Sequence, residues 1–216
     1  MNTMSSAELM DRQYRFQRHI YDFTRTHYLF WRRRLIAELN PPHDGSVVEV
    51  ACGTGWNLTR IAKRYPSARL YGFDISRAML ATAARATERQ DLESQIRLAQ
   101  GDATTFNLRD LFGFASADRI FISYALSMIP DWEEAIERAV EQLAPGGSLH
   151  IVDFGRMDTM AAAPRTAFLG FLAHYHVTPR RDLEVALRSV THRHNLSMTF
   201  ETARAGYCVY AVLKRS

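Results

Sequence analysis

Two aspartates follow short apolar runs, where the carboxyl ends of parallel strands would place them. Asp74 ends the run ARLYGFD, and Asp102 follows IRLAQG. Asp74 lies 19 residues beyond Gly55 of a glycine loop, which suits a carboxylate that accepts the hydroxyls of an adenosine ribose. Asp102 is placed to accept from the exocyclic amine of adenine, while the next backbone N–H, that of Ala103, donates to the ring. Together these residues predict an adenosine-containing ligand.

The glycine loop ACGTGWN indicates which class of adenosine ligand binds, a methyl donor or a dinucleotide. Its register GTGWNL lacks the third glycine of the dinucleotide fingerprint GxGxxG. Glu49, one residue before the end of the preceding run SVVEV, would repel a pyrophosphate and attract a cation such as an ammonium or a sulfonium. The residues therefore favour S-adenosylmethionine over NAD.

The elements that must position these residues alternate along the chain. Strands are predicted for SVVEV, ARLYGFDIS, IRLAQGDAT, DRIFISYALSMI and SLHIVDF, the fourth running to Pro130. Helices are predicted for NLTRIAKRYP, for Ser76 to about Arg89 and for WEEAIERAVEQL. This alternation predicts an α/β fold with a doubly wound, Rossmann-like and mostly parallel sheet. SMTFETA and YCVYAVL predict a closing antiparallel pair that buries Cys208.

The length and composition fit one domain. A chain of 216 residues can bury one ordinary core, and 47% hydrophobic with 23% charged residues is typical of a globular protein. No run of about 18 apolar residues suggests a bilayer span, and the first residues lack the features of a secretory signal, so we expect a cytoplasmic protein. We expect an N-terminal helical lid at 1–45, a cofactor-binding core at 46–155, and a helical cover with closing strands at 156–216.

Four motifs in order resemble those of class I S-adenosylmethionine methyltransferases. EVACGTG resembles the first motif, YGFDIS the second, QGDA the third, and QLAPGGSL the helix and turn before the fifth strand. The match covers about 46–154, with Ala51 where many members have glycine. The resemblance implies a methyltransferase that uses S-adenosylmethionine and releases S-adenosylhomocysteine.

The same resemblance assigns the cofactor contacts. It implies contacts to the methionine half by Glu49, Ala51, Gly53 and Gly55, to the ribose by Asp74, to the adenine face by Ile75 and Met79, and to the adenine edge by Asp102 and Ala103, with Ser123 beneath the sulfonium. From the predicted lid, the further cofactor-binding candidates are Tyr14, Tyr28 and Arg33.

The N-terminal segment carries a narrower resemblance. DRQYRFQRHIYDFTR resembles the bacterial betaine-lipid N-methyltransferases, which convert diacylglyceryl-homoserine to diacylglyceryl-trimethylhomoserine by three methylations of one amine. DFTRTHYLFWRRR also resembles quinone C-methyltransferases. Phosphatidylethanolamine methylation, small-amine methylation and a non-catalytic membrane-docking module remain alternatives.

An amine acceptor has its own chemical needs. Methyl transfer requires alignment and removal of water, and aromatic faces bind the quaternary ammonium product. Arginine can bind the headgroup carboxylate through two hydrogen bonds. The substrate-binding candidates are Arg18, Arg32, Tyr124 and Tyr175. The catalytic candidates, which include two possible acceptors of the amine proton, are Tyr21, Asp153 and His174.

Positive charge is concentrated in the two flanks of the chain. Lys and Arg outnumber Asp and Glu by 7 to 4 in residues 1–40 and by 9 to 4 in residues 156–216, whereas residues 41–155 carry 11 against 15. A basic residue near an anionic leaflet contributes about 1 kcal/mol, so we expect peripheral association with the inner face of the cell membrane and a lipid headgroup as partner. The scattered basic residues and the acidic middle predict no nucleic-acid partner. His192 and His194 lack further ligands in the nearby sequence, so no metal is expected.

Overall fold

The computed structural model describes residue 29, residues 31–203 and residues 205–216. The strands are β1 (Ser46–Val50), β2 (Arg69–Asp74), β3 (Ile96–Gln100), β4 (Ala117–Ser123), β5 (Leu143–Phe154), β6 (Leu196–Ala203) and β7 (Cys208–Arg215). The helices are α1 (Arg32–Glu38), α2 (Trp56–Arg64), α3 (Arg77–Glu88), α4 (Leu108–Phe112), α5 (Trp132–Glu141), α6 (Ala162–His174) and α7 (Leu183–Arg193). None of these helices combines the length and apolar character that a bilayer span needs.

The seven strands form one sheet in the order β3-β2-β1-β4-β5-β7-β6. Strands β1 to β5 pair in parallel, and β7 runs antiparallel to both β5 and β6. This arrangement confirms the predicted Rossmann-like sheet with its closing antiparallel strand. The predicted burial of Cys208 is also confirmed, because its side chain is fully buried in β7.

Helices cover both faces of the sheet. Apolar residues of α5 and α7 pack on one face, where Ile120 and Ile122 of β4 project. Residues of α1, α2 and α6 pack on the other face, against Phe121. Because β1 lies between two parallel neighbours and beneath helices on both sides, its run SVVEV is apolar throughout except for Ser46 and Glu49.

Strand β4 is shorter than the sequence predicts. The apolar run was expected to extend to Pro130, but the strand ends at Ser123 because Tyr124 adopts a left-handed backbone with φ 54°. A 3₁₀ helix at Leu126–Met128 follows. Leu126 is fully buried, so its apolar character reflects packing of this turn rather than an extended strand.

Helix α1 lies in the segment predicted as a lid and is tied to distant parts of the sheet. Arg34 forms two hydrogen bonds to Glu201 of β6, at 2.8 and 2.7 Å. Arg119 of β4 donates to the carbonyls of Leu39 and Asn40 just after the helix, at 2.6 and 2.9 Å. Residues 1–28 and residue 30 of the predicted lid lie outside the described residues.

Candidate functional site

A cavity of about 280 Å³ lies beyond the carboxyl ends of β1, β2, β3 and β4. In the sheet, β1 pairs with β2 on one side and with β4 on the other, so the chain winds outward in opposite directions from this point. Such a switch point is where doubly wound sheets bind their ligands. Eleven of the predicted site residues line the cavity: Arg32, Glu49, Ala51, Gly53, Asp74, Ile75, Met79, Asp102, Ala103, Ser123 and Tyr124.

The loop after β1 turns sharply at three left-handed positions. Ala51, Gly53 and Gly55 have φ values of 54°, 55° and 73°. Gly55 precedes α2 and does not line the cavity; a Cβ there would lie 3.1 Å from the Cβ of Ala83 in α3. The structure therefore places Gly55 at a helix contact rather than among the cavity residues.

The carboxylate of Asp74 joins two of the loops around the cavity. One oxygen accepts from the backbone N–H of Gly53 at 2.8 Å, and the other accepts from the N–H of Ser76 at 2.9 Å. The side chain is buried at 8% exposure. These bonds fix its orientation where the loops after β1 and β2 meet.

Glu49 contributes a second carboxyl group to the lining of the cavity. Its Oε1 accepts from the side-chain amide of Asn57 at 2.5 Å, and Arg32 donates to the amide oxygen of the same asparagine at 3.1 Å. Its Oε2 is buried and has no hydrogen-bond partner among the described residues. Burial raises the pKa of Glu49 to about 8, although the Asn57 bond and the charge of Arg32 oppose the rise. This oxygen can accept from a cationic ligand.

The residues of the cavity that follow β2 and β3 provide both apolar and polar groups. Ile75 and the buried Met79 provide apolar surface. Oδ1 of Asp102 accepts from the backbone N–H and the hydroxyl of Thr104 at 2.8 and 2.7 Å, and these bonds orient its carboxylate beside Ala103. The four residues that the sequence predicts around adenine therefore lie together.

The chain after β4 completes the wall. Ser123 has a buried hydroxyl without a hydrogen-bond partner in the described part of the chain. Tyr124 is buried, with its ring centroid 4.8 Å from that of Phe154, and burial raises the pKa of its phenol. Met128, Ile129 and other residues of this turn also line the cavity.

Besides Gly55 and Arg33, three further predicted residues among those described do not line the cavity. Asp153 does not line the cavity: it is fully buried, and accepts from the backbone N–H groups of Ser127 and Phe154 at 3.3 and 2.7 Å. Burial raises its pKa to about 6, but the surrounding contacts make it an anchor for the turn after β4 rather than a proton acceptor in the cavity. His174 is exposed at the end of α6, with its ring against that of Tyr175 at 5.1 Å, and neither residue lines the cavity.

The candidates from the predicted lid divide into two groups. Arg33 is exposed on α1 and does not line the cavity, whereas its neighbour Arg32 does and lies 3.9 Å over the ring of Trp56. The other lid candidates lie outside the described residues: Tyr14, Arg18, Tyr21 and Tyr28.

Among the polar residues of the cavity, sequence reasoning missed Thr54, Thr104, Asn57 and Asp131, of which the last two carry the clearest chemical roles. Asn57, the partner of Glu49, lies on the buried side of α2 at 3% exposure. A polar residue at the start of a helix that follows a glycine loop is a signal that could have identified it. Asp131 lies at the exposed start of α5, and the predicted strand that ran to Pro130 concealed its position at the end of a turn.

Comparison with known proteins agrees with this geometry. Residues 47–147 match the family described as "Methyltransferase domain". The trans-aconitate 2-methyltransferase of Variovorax paradoxus is 36% identical over 119 residues, which are 55% of this chain and 42% of that protein. The 2-phytyl-1,4-naphtoquinone methyltransferase of Thermosynechococcus vestitus is 32% identical over 133 residues, 61% of this chain and 56% of that protein. The chain thus spans about half the length of these curated relatives.

Solved structures share the fold over a longer part of the chain. The phosphoethanolamine N-methyltransferase 2 of Haemonchus contortus, solved with S-adenosylhomocysteine, superposes with a TM-score of 0.76 at 14% identity and covers 99% of this chain and 61% of that one. At this identity the likeness concerns the fold. Residues 47–147 therefore match a methyltransferase-domain family, and the chain shares its fold with a solved N-methyltransferase.

Proposed function

We propose that this chain transfers methyl groups from S-adenosylmethionine to the amine of a lipid headgroup, that of diacylglyceryl-homoserine. The observation that carries the proposal is the buried carboxyl group of Glu49, which lines the cavity and whose Oε2 has no hydrogen-bond partner among the described residues. Charging this buried group without a partner is costly, which is why its pKa is raised, and a cationic ligand would offset that cost.

The residues of the cavity suit the proposed donor. S-adenosylmethionine supplies a methyl group on a positively charged sulfur. Glu49 would accept from its ammonium, Asp74 would accept from the ribose hydroxyls, and Asp102 would accept from the adenine amine. Ile75 and Met79 would contact the adenine ring. The chain's own task is to orient this group and exclude water from the reacting atoms.

The charge of the cavity supports an amine acceptor over an acidic one. Its charged lining within the described chain consists of four carboxylates, those of Glu49, Asp74, Asp102 and Asp131, and the guanidinium of Arg32. The donor would use Glu49, Asp74 and Asp102, which leaves Asp131 as the carboxylate available to the acceptor. This carboxylate favours an amine and opposes a polycarboxylate of the kind named for the Variovorax relative. The resemblance of residues 11–25 to betaine-lipid enzymes points to the homoserine lipid among possible amines.

Methylation of a quinone carbon is the second candidate. It is favoured by the relatives named as quinone methyltransferases, which include the Thermosynechococcus protein and a demethylmenaquinone methyltransferase of Thermus thermophilus that is 30% identical over 126 residues. Met128 and Ile129 would provide apolar surface for a ring. Against it, no histidine or lysine of the described chain lines the cavity to remove a ring proton.

The test is mass spectrometry of acceptors incubated with the protein and labelled S-adenosylmethionine. Diacylglyceryl-homoserine vesicles, a demethylated quinone and a soluble homoserine amine are supplied in separate reactions. We expect the lipid headgroup to gain one, two and three methyl units, and Asp74→Ala to abolish the gain. A label found only on the quinone carbon, or only on the soluble amine, would contradict the lipid proposal.

A further inference from the structure

The turn after β4 is held by a segment more than fifty residues further along the chain. The guanidinium of Arg180 donates through Nε to the carbonyl of Leu126 at 2.9 Å and through Nη2 to the carbonyl of Ile129 at 2.5 Å. The backbone N–H of Thr178 donates to the carbonyl of Ser127 at 2.8 Å. Three carbonyls of one short turn are thus bound by the segment between α6 and α7.

The same turn is also hydrogen-bonded to the buried Asp153. Its carboxylate accepts from the backbone N–H of Ser127 at 3.3 Å. Burial lowers the pKa of Arg180, and the negative charge of Asp153 opposes this change. The guanidinium also lies 5.9 Å from the ring centroid of Trp132. The turn is therefore hydrogen-bonded both to the carboxylate of Asp153 and to the guanidinium of Arg180.

This turn carries cavity residues, whereas Arg180 itself does not line the cavity. Met128 and Ile129 line the wall beyond β4, and the carbonyl of Ile129 is one of the two that Arg180 binds. The donor candidates Glu49, Asp74 and Asp102 belong instead to β1, to the end of β2 and to the loop after β3. Arg180 is thus connected to one wall of the cavity and separate from the donor residues.

We propose that Arg180 is a positioning residue that fixes the acceptor-side wall of the cavity through the turn at 126–129; the assignment of this wall to the acceptor rests on the proposed methyl transfer. A guanidinium can bind two carbonyls at once because its N–H groups form a rigid planar fork. A lysine keeps the positive charge but presents a single ammonium, so Arg180→Lys tests the fork separately from the charge.

The kinetic experiment compares Arg180→Ala and Arg180→Lys with Arg181→Ala, a control at the adjacent, exposed arginine whose contact to Asp158 is 3.5 Å long. For Arg180→Ala we expect the KM for the acceptor to rise at least fivefold and kcat to fall about tenfold, while the Kd for S-adenosylhomocysteine stays within twofold. Arg180→Lys should recover less than half of the lost kcat. Equal values for the variants at 180 and 181, or an equal rise in donor Kd and acceptor KM, would overturn the proposal.

A second measurement does not depend on the acceptor. Amide hydrogen exchange should become at least tenfold faster in peptides covering 124–131 of Arg180→Ala, and remain unchanged in peptides covering 51–57. Thr178→Pro, which removes one N–H donor to the same turn, should show the same local change. If the wild-type protein methylates no acceptor but this pattern appears, the proposed function fails and the positioning role stands. Unchanged exchange at 124–131 would refute the positioning role itself.

Discussion

At the scale of single residues, Glu49 is the group whose ionisation matters most. Its carboxylate is buried, one oxygen is bound by Asn57, and burial raises its pKa to about 8 from an ordinary value of 4.5. In the folded protein without ligand, Glu49 therefore holds a proton over a pH range in which the unfolded chain has released it. The free energy of unfolding should decrease as pH rises from about 4.5 to about 8.

Glu49→Gln should remove this pH dependence. The variant keeps the shape of the side chain without a charge, so relative to wild type it should gain stability between pH 5 and pH 8.5, by a few kcal/mol in order of magnitude. Thermal unfolding of both proteins at the two pH values measures the difference. Glu201→Gln, at an exposed position on β6, serves as control and should show no such gain. A Glu49→Gln effect that is the same at both pH values would contradict the prediction.

The same substitution should weaken donor binding. A neutral amide cannot attract the ammonium of the ligand as a carboxylate does, so we expect the Kd for S-adenosylhomocysteine to rise at least tenfold. Isothermal titration calorimetry at pH 8.5 provides the measurement, with Arg181→Ala as a control that leaves the cavity intact. An unchanged Kd would remove Glu49 from the donor site.

The sequence predicts individual site residues where a motif fixes their place on the sheet. Asp74 and Asp102 follow predicted strands, so their meeting at one edge follows from the parallel fold. Asp153 illustrates the limit: it is also near a strand end, yet its side chain points beneath the turn after β4. Which side of a strand end a carboxylate faces depends on packing that the local sequence does not encode.

At the scale of elements, Gly55 controls how closely α2 approaches α3. It has φ 73°, and a Cβ there would lie 3.1 Å from the Cβ of Ala83. Gly113, after α4, has φ 86° but open space around its missing Cβ. Comparing substitutions at the two glycines therefore distinguishes the cost of a left-handed backbone from the cost of a steric contact.

Gly55→Ala should destabilise the protein more than Gly113→Ala. Each alanine costs about 1 kcal/mol for a left-handed backbone, and at position 55 the displacement of α3 should at least double that cost. Urea unfolding of the two variants gives the difference in the free energy of unfolding. Equal decreases in the free energy of unfolding would show that α3 moves aside without an energetic cost.

The elements also show why the run DRIFISYALSMI was predicted as one strand. Both β4 and the turn after it are buried, so both are apolar, and hydrophobicity cannot locate the boundary between them. Tyr124 sets that boundary through its left-handed backbone, while Thr178 and Arg180 bind the turn from a distant segment. Contacts of such long sequence separation have no local signal.

At the scale of the whole molecule, the uneven charge supports the proposed association with membranes. The net charge is +4 with an acidic middle, and both flanks carry an excess of arginine. A surface charge of this kind is screened by salt, because the Debye length falls from about 10 Å at 0.1 M to about 3 Å at 1 M.

Binding to vesicles that contain anionic lipid should therefore fall several-fold between about 0.05 and 0.5 M salt. Co-sedimentation measures it, with vesicles of neutral lipid as control. The double variant Arg15→Ala/Arg25→Ala should lose roughly tenfold in binding and retain methyl transfer to a soluble acceptor, whereas Tyr21→Ala should do the reverse. Binding that is equally strong to neutral vesicles would contradict the electrostatic contribution. These three residues lie outside the described residues, so the prediction rests on the sequence.

The overall architecture was the most predictable feature, because alternating strands and helices with apolar parallel strands leave few possible sheets. The chain order of β6 and β7 reverses in the sheet, where β7 lies between β5 and β6. The pairing of β5 with β7 is reinforced by buried side chains, since the ring of His150 in β5 hydrogen-bonds the hydroxyl of Tyr210 in β7 at 2.8 Å.

In this strand order, the pairing between β5 and β7 joins the β6–β7 hairpin to the parallel part of the sheet. Within the described part of the chain, β6 pairs with no strand other than β7, so separation of β7 from β5 should release both strands together as one hairpin. The two strands thus form one cooperative unit of local opening, and their amides should exchange with one common free energy. Opening of the β6–β7 hairpin would expose β5, the strand that carries Asp153. The hydrogen bond between Asp153 and the turn at Ser127 should then weaken. Opening of this hairpin at the edge of the sheet should therefore also loosen one wall of the cavity.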